Sequence, residues 1–265
     1  MKIDFETAKK RALKKEDAWV EVLLVDTMTL PIAYFLGKHK PIHPVIVSIV
    51  AFVMRMAGAA LFFSGHLFYG GVFSFGGFFL DGLDGKLARI TQKHIVFHGV
   101  VDFLLDQIAF MGMAFGFASY AIRIGDVALN ILTILWIVAY FILMSITSTL
   151  WRLRSTLRFG SLTAENLATI ATENIGNPRI KNTIKKMKNL YFNSRRKLRK
   201  HRLLPFPTTI EAEFLFFIVI PLASYLINPF LIRLIASLAI LCFVPQMLTN
   251  LMETCLLTSI SIKKN

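Results

Sequence analysis

Between Asp81 and Asp106 the chain reads DGLDGKLARITQKHIVFHGVVDFLLD, which sets four carboxylates into what is otherwise long apolar helix. Asp81 and Asp84 stand at i, i+3 and Asp102 and Asp106 at i, i+4, so each pair lies on one face of its own helix. If the two faces meet in a medium of low dielectric, the carboxylates repel or take up protons unless cations stand between them. A pair of hard divalent ions is the economical occupant, because such ions take oxygen ligands and bridge phosphates. Acids alone suit Mg2+ or Mn2+.

The rest of the chain decides what medium surrounds that stretch. Hydrophobic residues make up 55% of the 265, with 24 phenylalanines, too apolar for an ordinary soluble domain and suited to a bilayer. Spans are predicted at about 44–64, 66–90, 96–122, 126–150, 210–227 and 229–258, each long enough for a hydrocarbon core of about 30 Å. The predicted fold is therefore an all-α membrane protein with six transmembrane helices, read as a single integral-membrane domain over 1–265. The second and third spans, joined by a short turn at Thr91–Ile95, present their acids at the same end of the membrane. Cys242 and Cys255 fall on one predicted helix about 20 Å apart, too far to pair. The charged N-terminus MKIDFETAKKRALKKEDAW lacks the apolar core of a cleavable signal peptide.

Charge gives the orientation. Thirty Lys and Arg against 16 Asp and Glu leave a net +14, concentrated between apolar runs and above all in residues 151–208. By the positive-inside rule this loop is cytoplasmic, which with six spans places both termini and the acidic site on the cytoplasmic side. Two stretches read as interfacial amphipathic helices. One is the basic N-terminal segment within 1–43, carrying Trp19 and interrupted by Pro31, Pro41 and Pro44; the other lies in the loop, with Ile180, Ile184, Met187, Tyr191 and Leu198 on one face. Anionic lipid headgroups, not nucleic acid, are the partner expected for the basic loop. Pro205 and Pro207 end the second helix, and Thr208 with Glu211 has the spacing of a capping box, so Glu211 and Glu213 read as helix-start residues.

Arg55 lies midway along the first predicted span, at a depth similar to Asp81 and Asp106. An intramembrane arginine needs a partner, and these acids or a bound phosphate are nearest. Arg152, Arg154 and Arg158 leave the fourth span and are candidates for a phosphorylated acceptor, with interfacial anchoring as the plainer role. His94 and His98 continue the i, i+4 ladder into Asp102 and Asp106, a pattern that also admits a zinc or mixed-ligand site.

The order D-x-x-D-G-x-x-A-R, then D-x-x-x-D, resembles the signature of the CDP-alcohol phosphotransferase (CDP-alcohol phosphatidyltransferase) family, matched by Asp81, Asp84, Gly85, Ala88, Arg89, Asp102 and Asp106. His98 stands where that signature has glycine, with Gly99 one place later. The resemblance implies displacement of CMP from a CDP-linked alcohol, often CDP-diacylglycerol, by an acceptor hydroxyl. It implies Asp81, Asp84, Asp102 and Asp106 as ligands of two Mg2+ or Mn2+ ions, and Asp106 also as the acceptor of the hydroxyl proton. It further implies Gly85, Ala88 and Arg89 as nucleotide contacts, and a homodimer. Arg55, Lys86, His98, Arg152, Arg154 and Arg158 are the candidates for further phosphate or acceptor contacts. Two alternatives stand beside phosphatidyl transfer: transfer of a polar phosphoalcohol from its CDP derivative to diacylglycerol, and cation-coupled transport, which explains buried acids but not D-G-x-x-A-R.

Overall fold

The computed structural model describes residues 4–39, 42–92, 95–156 and 178–251, which are almost entirely helical, with no strand among them. Helix α1 (Phe5–Ala12) starts where the Asp4 carboxylate accepts the Thr7 N–H at 3.1 Å, and Lys9, Lys10 and Arg11 fill its last turn, both favourable to the helix dipole. A π-helical turn at Glu21–Val25 then runs directly into α2 (Asp26–His39). Pro44 opens α3 (Pro44–Phe63) at the first helical turn, where its missing N–H costs nothing.

Pro31 does not interrupt the N-terminal segment as the sequence predicts: it lies inside α2. The lost hydrogen bond costs about 3 kcal/mol in an exposed helix. Here Leu30 and Ala33, on either side of it, are buried with Leu83, Leu87 and Ile90 of the next long helix but one, and that packing holds α2 together across the proline.

The four long helices begin and end close to the predicted span limits: α3, α4 (Leu67–Thr91), α5 (Ile95–Arg123) and α6 (Val127–Thr156). By length and composition, four stretches are apolar enough to cross a membrane, Pro44–Phe63, His98–Arg123, Val127–Leu150 and Pro229–Leu251. Helix α4 has 25 residues, but Asp81, Asp84, Lys86 and Arg89 crowd its C-terminal half. Helix α7 (Pro178–Arg199) lies in the basic loop, with Arg196, Lys197 and Arg199 in its last turn. Next, α8 (Thr209–Phe214), a π-helical turn (Leu215–Val219) and α9 (Ile220–Ala223) form one short bent rod, followed by α10 (Pro229–Leu241). Thr208 and Glu211 close the predicted capping box at the start of that rod. The part of the sixth predicted span beyond residue 251 falls outside the described residues, as do Cys255, His94 and Arg158.

Helix α3 is the axis of the site. It touches α4 through glycines: a Cβ on Gly58 would come within 2.9 Å of the Gly70 carbonyl, and one on Gly77 within 2.8 Å of the Ala51 carbonyl and 2.6 Å of Arg55 Cγ. On its other flank, a Cβ on Gly116 of α5 would run into the Ala59 carbonyl. Backbones this close gain dispersion where apolar burial adds little, because lipid tails are as apolar as leucine. The result places α3 between α4 and α5 and brings Arg55 against the helix that carries Asp81. Among the described residues Gly99 makes no such contact, for a Cβ there would meet none of their atoms within 4 Å.

On the opposite side of α3, an aromatic core joins α5, α6 and the bent rod. Trp136 stacks on Tyr140 at 5.6 Å and meets Phe217 edge-on at 4.8 Å, while Phe117 lies 4.9 Å from Phe216. Away from this core, Phe103, Leu104, Ile108 and Phe115 of α5 and Ile131, Ile134, Leu135 and Phe141 of α6 are exposed. Outward rows of that kind on long helices suit lipid rather than water.

Candidate active site

Helices α4 and α5 deliver the four aspartates to one place, as their spacing predicts. Ligand oxygens of Asp81, Asp102 and Asp106 lie within 4.8 Å of one another, and a second group of the same size is formed by Asp84, His98 and Asp102. Asp102 belongs to both groups, the layout expected when one carboxylate serves two neighbouring cations. Asp84 is 1% exposed, and neither of its oxygens accepts a hydrogen bond from the described residues. An orphaned buried carboxylate costs several kcal/mol unless a charge compensates it. This donor set therefore fits hard divalent ions, which Asp81, Asp84, Asp102 and Asp106 would hold.

Arg55 is placed as its depth predicts, among the acids. Its Nη1 donates to Asp106 Oδ1 at 2.5 Å, and Nη2 lies 3.3 Å from Asp81 Oδ2. A third carboxylate, Glu213 Oε1, stands 3.7 Å from Nη2. Sequence reasoning assigns Glu213 to the helix start, and the structure brings it instead to the edge of the site, 4% exposed. A signal was available: Glu213 stands two residues beyond the capping Glu211, about 200° around the helix, so both cannot serve the same cap.

Gly85 and Arg89 sit side by side, since a Cβ on Gly85 would have the Arg89 guanidinium as its nearest neighbour, at 3.4 Å from Nη1. Arg89 Nε donates to the Ala12 carbonyl at 2.6 Å, so the end of α1 holds this guanidinium in place. Ala88 is buried. Arg152 and Arg154 lie on the last turns of α6, and their side chains fall outside the described residues.

Lys86 turns away from the aspartates. Its ammonium lies 2.8 Å from Asp26 Oδ1 and 3.2 Å from Glu21 Oε2, and donates to the Gly82 carbonyl at 3.0 Å. The π-helical turn makes this possible. Residues five apart lie on nearly one side of a π-helix, whereas in an α-helix they stand about 140° apart, so the turn brings Glu21 and Asp26 round to the same ammonium. Burial raises the Glu21 carboxyl above the usual carboxylate range, against the pull of Lys86. Asp26 also accepts from Arg202 at 2.8 Å, and Arg202 Nε donates to the Lys14 carbonyl at 3.0 Å. Glu16 pairs with Arg195 and Arg199, and a parallel bridge joins Asp17 to Leu203. The N-terminal segment is thus tied both to the motif helix and to the end of the basic loop.

Lys86→Met is expected to leave Glu21 and Asp26 without their shared cation and to speed amide exchange across residues 21–39 by about tenfold or more. Mass spectrometry of exchange reads this directly. A loss of activity with unchanged exchange would place Lys86 on substrate instead.

A family model described as CDP-alcohol phosphatidyltransferase matches residues 41–244. The fold is similar to the crystal structure of Mycobacterium tuberculosis phosphatidylinositol phosphate synthase (PgsA1) with CDP-DAG bound, at 20% sequence identity and a TM-score of 0.57, over 86% of this chain and 94% of that one. No curated protein matches the sequence. Both halves of the aspartate motif and the helices that carry them lie inside the matched region, and the chain belongs to the CDP-alcohol phosphatidyltransferase family.

Proposed function

We propose that the chain is an integral-membrane transferase that moves the phosphatidyl group of CDP-diacylglycerol to the hydroxyl of an acceptor alcohol and releases CMP, a step of phospholipid synthesis. The observation that carries this reading is the convergence of the four motif aspartates, with Asp84 buried and unpartnered among them. The CDP-DAG bound to the similar PgsA1 structure supports a lipid-linked donor.

In this reading Asp106 accepts the proton of the acceptor hydroxyl. The freed oxygen bonds to the β-phosphorus, and the bond from that phosphorus to the bridging oxygen breaks, its electron pair leaving with CMP. Two Mg2+ or Mn2+ ions, when bound by Asp81, Asp84, Asp102 and Asp106, supply neutralisation of the diphosphate and of the charge gathering on the leaving oxygen. Arg55 holds one oxygen of Asp106 and so fixes the direction in which the other meets the acceptor. Gly85 leaves the nucleotide room to approach α4, Ala88 adds little bulk, and Arg89 pairs with a nucleotide phosphate. Arg152, Arg154 and Arg158 are the candidates for a phosphorylated acceptor.

The same reading takes α3, α4, α5, α6, the rod from Thr209 to Ala223 and the stretch Pro229–Leu251 as six spans. The N-terminal segment 1–43 and helix α7 lie on the bilayer surface, and the basic loop 151–208, both termini and the acidic site face the cytoplasm. All 265 residues act as one domain, and two copies form a homodimer. Diacyl tails then stay in lipid while the diphosphate enters a polar cleft.

The test is CMP release by the purified protein with CDP-diacylglycerol, Mg2+ or Mn2+, and a panel of glycerol phosphate, inositol, inositol phosphate and serine. Release that depends on one acceptor is the expected result and names the acceptor. Release only from a polar CDP-alcohol with diacylglycerol reverses the assignment of donor and acceptor. No release from either pairing by well-folded protein overturns the transferase.

A further inference from the structure

His98 occupies the place where the family signature has glycine, and its imidazole is directed into the site. The ring is 4% exposed, and Nε2 lies 3.8 Å from Asp84 Oδ1. Its other nitrogen, Nδ1, lies 3.4 Å from Ser48 Oγ, and the Ser48 hydroxyl donates to the Pro44 carbonyl at 3.4 Å. In the tautomer that carries its proton on Nδ1 and donates it to Ser48 Oγ, Nε2 has a lone pair on the side of Asp84.

Lone pairs therefore converge from Asp84, His98 and Asp102, all within 4.8 Å of one another. The two halves of the site differ here. Asp81 and Asp106 have the Arg55 guanidinium between them, whereas among the described residues no lysine or arginine pairs with Asp84. The separation of 3.8 Å is too long for a hydrogen bond and within the span of two atoms bound at about 2.1 Å to one ion.

We propose that His98 is a nitrogen ligand of the cation site it forms with Asp84 and Asp102, making that half a mixed site that prefers a first-row transition ion such as Mn2+ to Mg2+. The proposal rests on the two-cation reading above. Mg2+ favours an all-oxygen shell and dehydrates reluctantly, whereas the transition-series ions accept imidazole. Glycine at this position leaves the aspartates alone to set the choice of ion. Histidine adds a neutral donor held in place by Ser48.

The test uses the full chain in detergent micelles, with Mn2+ as the probe and no substrate. Electron spin-echo spectra of bound Mn2+ are expected to carry imidazole nitrogen modulation that changes on 15N-histidine labelling and is lost in His98→Gly. The preference for Mn2+ over Mg2+, measured by competition, is expected to fall about tenfold or more in that variant. Should His98→Gly fail to fold, His98→Gln removes the imidazole while keeping a polar side chain, with the same expected loss. Absence of nitrogen modulation in the parent protein, or its persistence in both variants, overturns the proposal. Because no substrate is present, modulation without CMP release would sink the transferase reading alone, and CMP release without modulation would sink this one alone.

Discussion

Asp106→Asn is expected to lower acceptor-dependent CMP release by about 10³-fold while leaving the protein folded, because the substitution removes a proton acceptor and keeps the shape of the side chain. The amide oxygen of asparagine can still accept from Arg55 Nη1, which holds Asp106 Oδ1 at 2.5 Å, so the contact between α3 and α5 survives. Asp106 keeps 28% of its side chain exposed despite that bond, which leaves it reachable by an acceptor hydroxyl entering the cleft. The variant loses one negative charge toward the cations as well, so a weaker affinity for divalent ions should accompany the loss of rate. Continuous measurement of CMP at saturating Mn2+ separates the two effects. Release that recovers fully when the ion is raised would make Asp106 a ligand only, and a variant retaining a third of the parent rate at saturation would remove it from proton transfer.

The aspartate site was legible because its chemistry forces its spacing. Carboxylates that share cations must lie on one face of each helix, and i, i+3 and i, i+4 leave no other arrangement. Arg55 was legible for a related reason, since depth in a membrane follows from position along a span and a buried guanidinium has few permissible partners. Ser48 could have been found by the same arithmetic: it stands seven residues before Arg55, two turns away on the same face of α3. The engagement of Lys86 could not. It depends on a π-helical turn that no local propensity in Glu21–Val25 announces, and on contacts between Asp26 and Arg202 across most of the chain. Pro31 misled for a physical reason as well. Breaker rules describe an isolated helix, and burial of Leu30 and Ala33 outweighs the one hydrogen bond a proline removes. Phe214–Ala223 reads as a uniform apolar run, yet its π-helical turn sets Phe216 and Phe217 against Trp136, and Glu213 just before it reaches Arg55.

Arg55→Met is expected to destabilise the protein by about 3–5 kcal/mol, a shift on the order of 10 °C in the thermal midpoint measured in micelles. Arg55 is 2% exposed and lies against carboxylates from three separate helices, Asp81 of α4, Asp106 of α5 and Glu213 of α8. Methionine matches the stem of the side chain but cancels none of these charges. Asp81 and Asp106 face the cleft, where divalent ions can take over the lost compensation, so added Mn2+ should stabilise Arg55→Met more than it stabilises the parent. Glu213 has no such relief, being 4% exposed and behind the arginine. The double variant Arg55→Met with Glu213→Gln should therefore regain part of the lost midpoint without added metal, as removal of the orphaned charge requires. A midpoint within 2 °C of the parent for the single variant, or a double variant no better than the single, would show that these helices are held by their glycine and aromatic contacts and that the arginine serves only the ligands of the site.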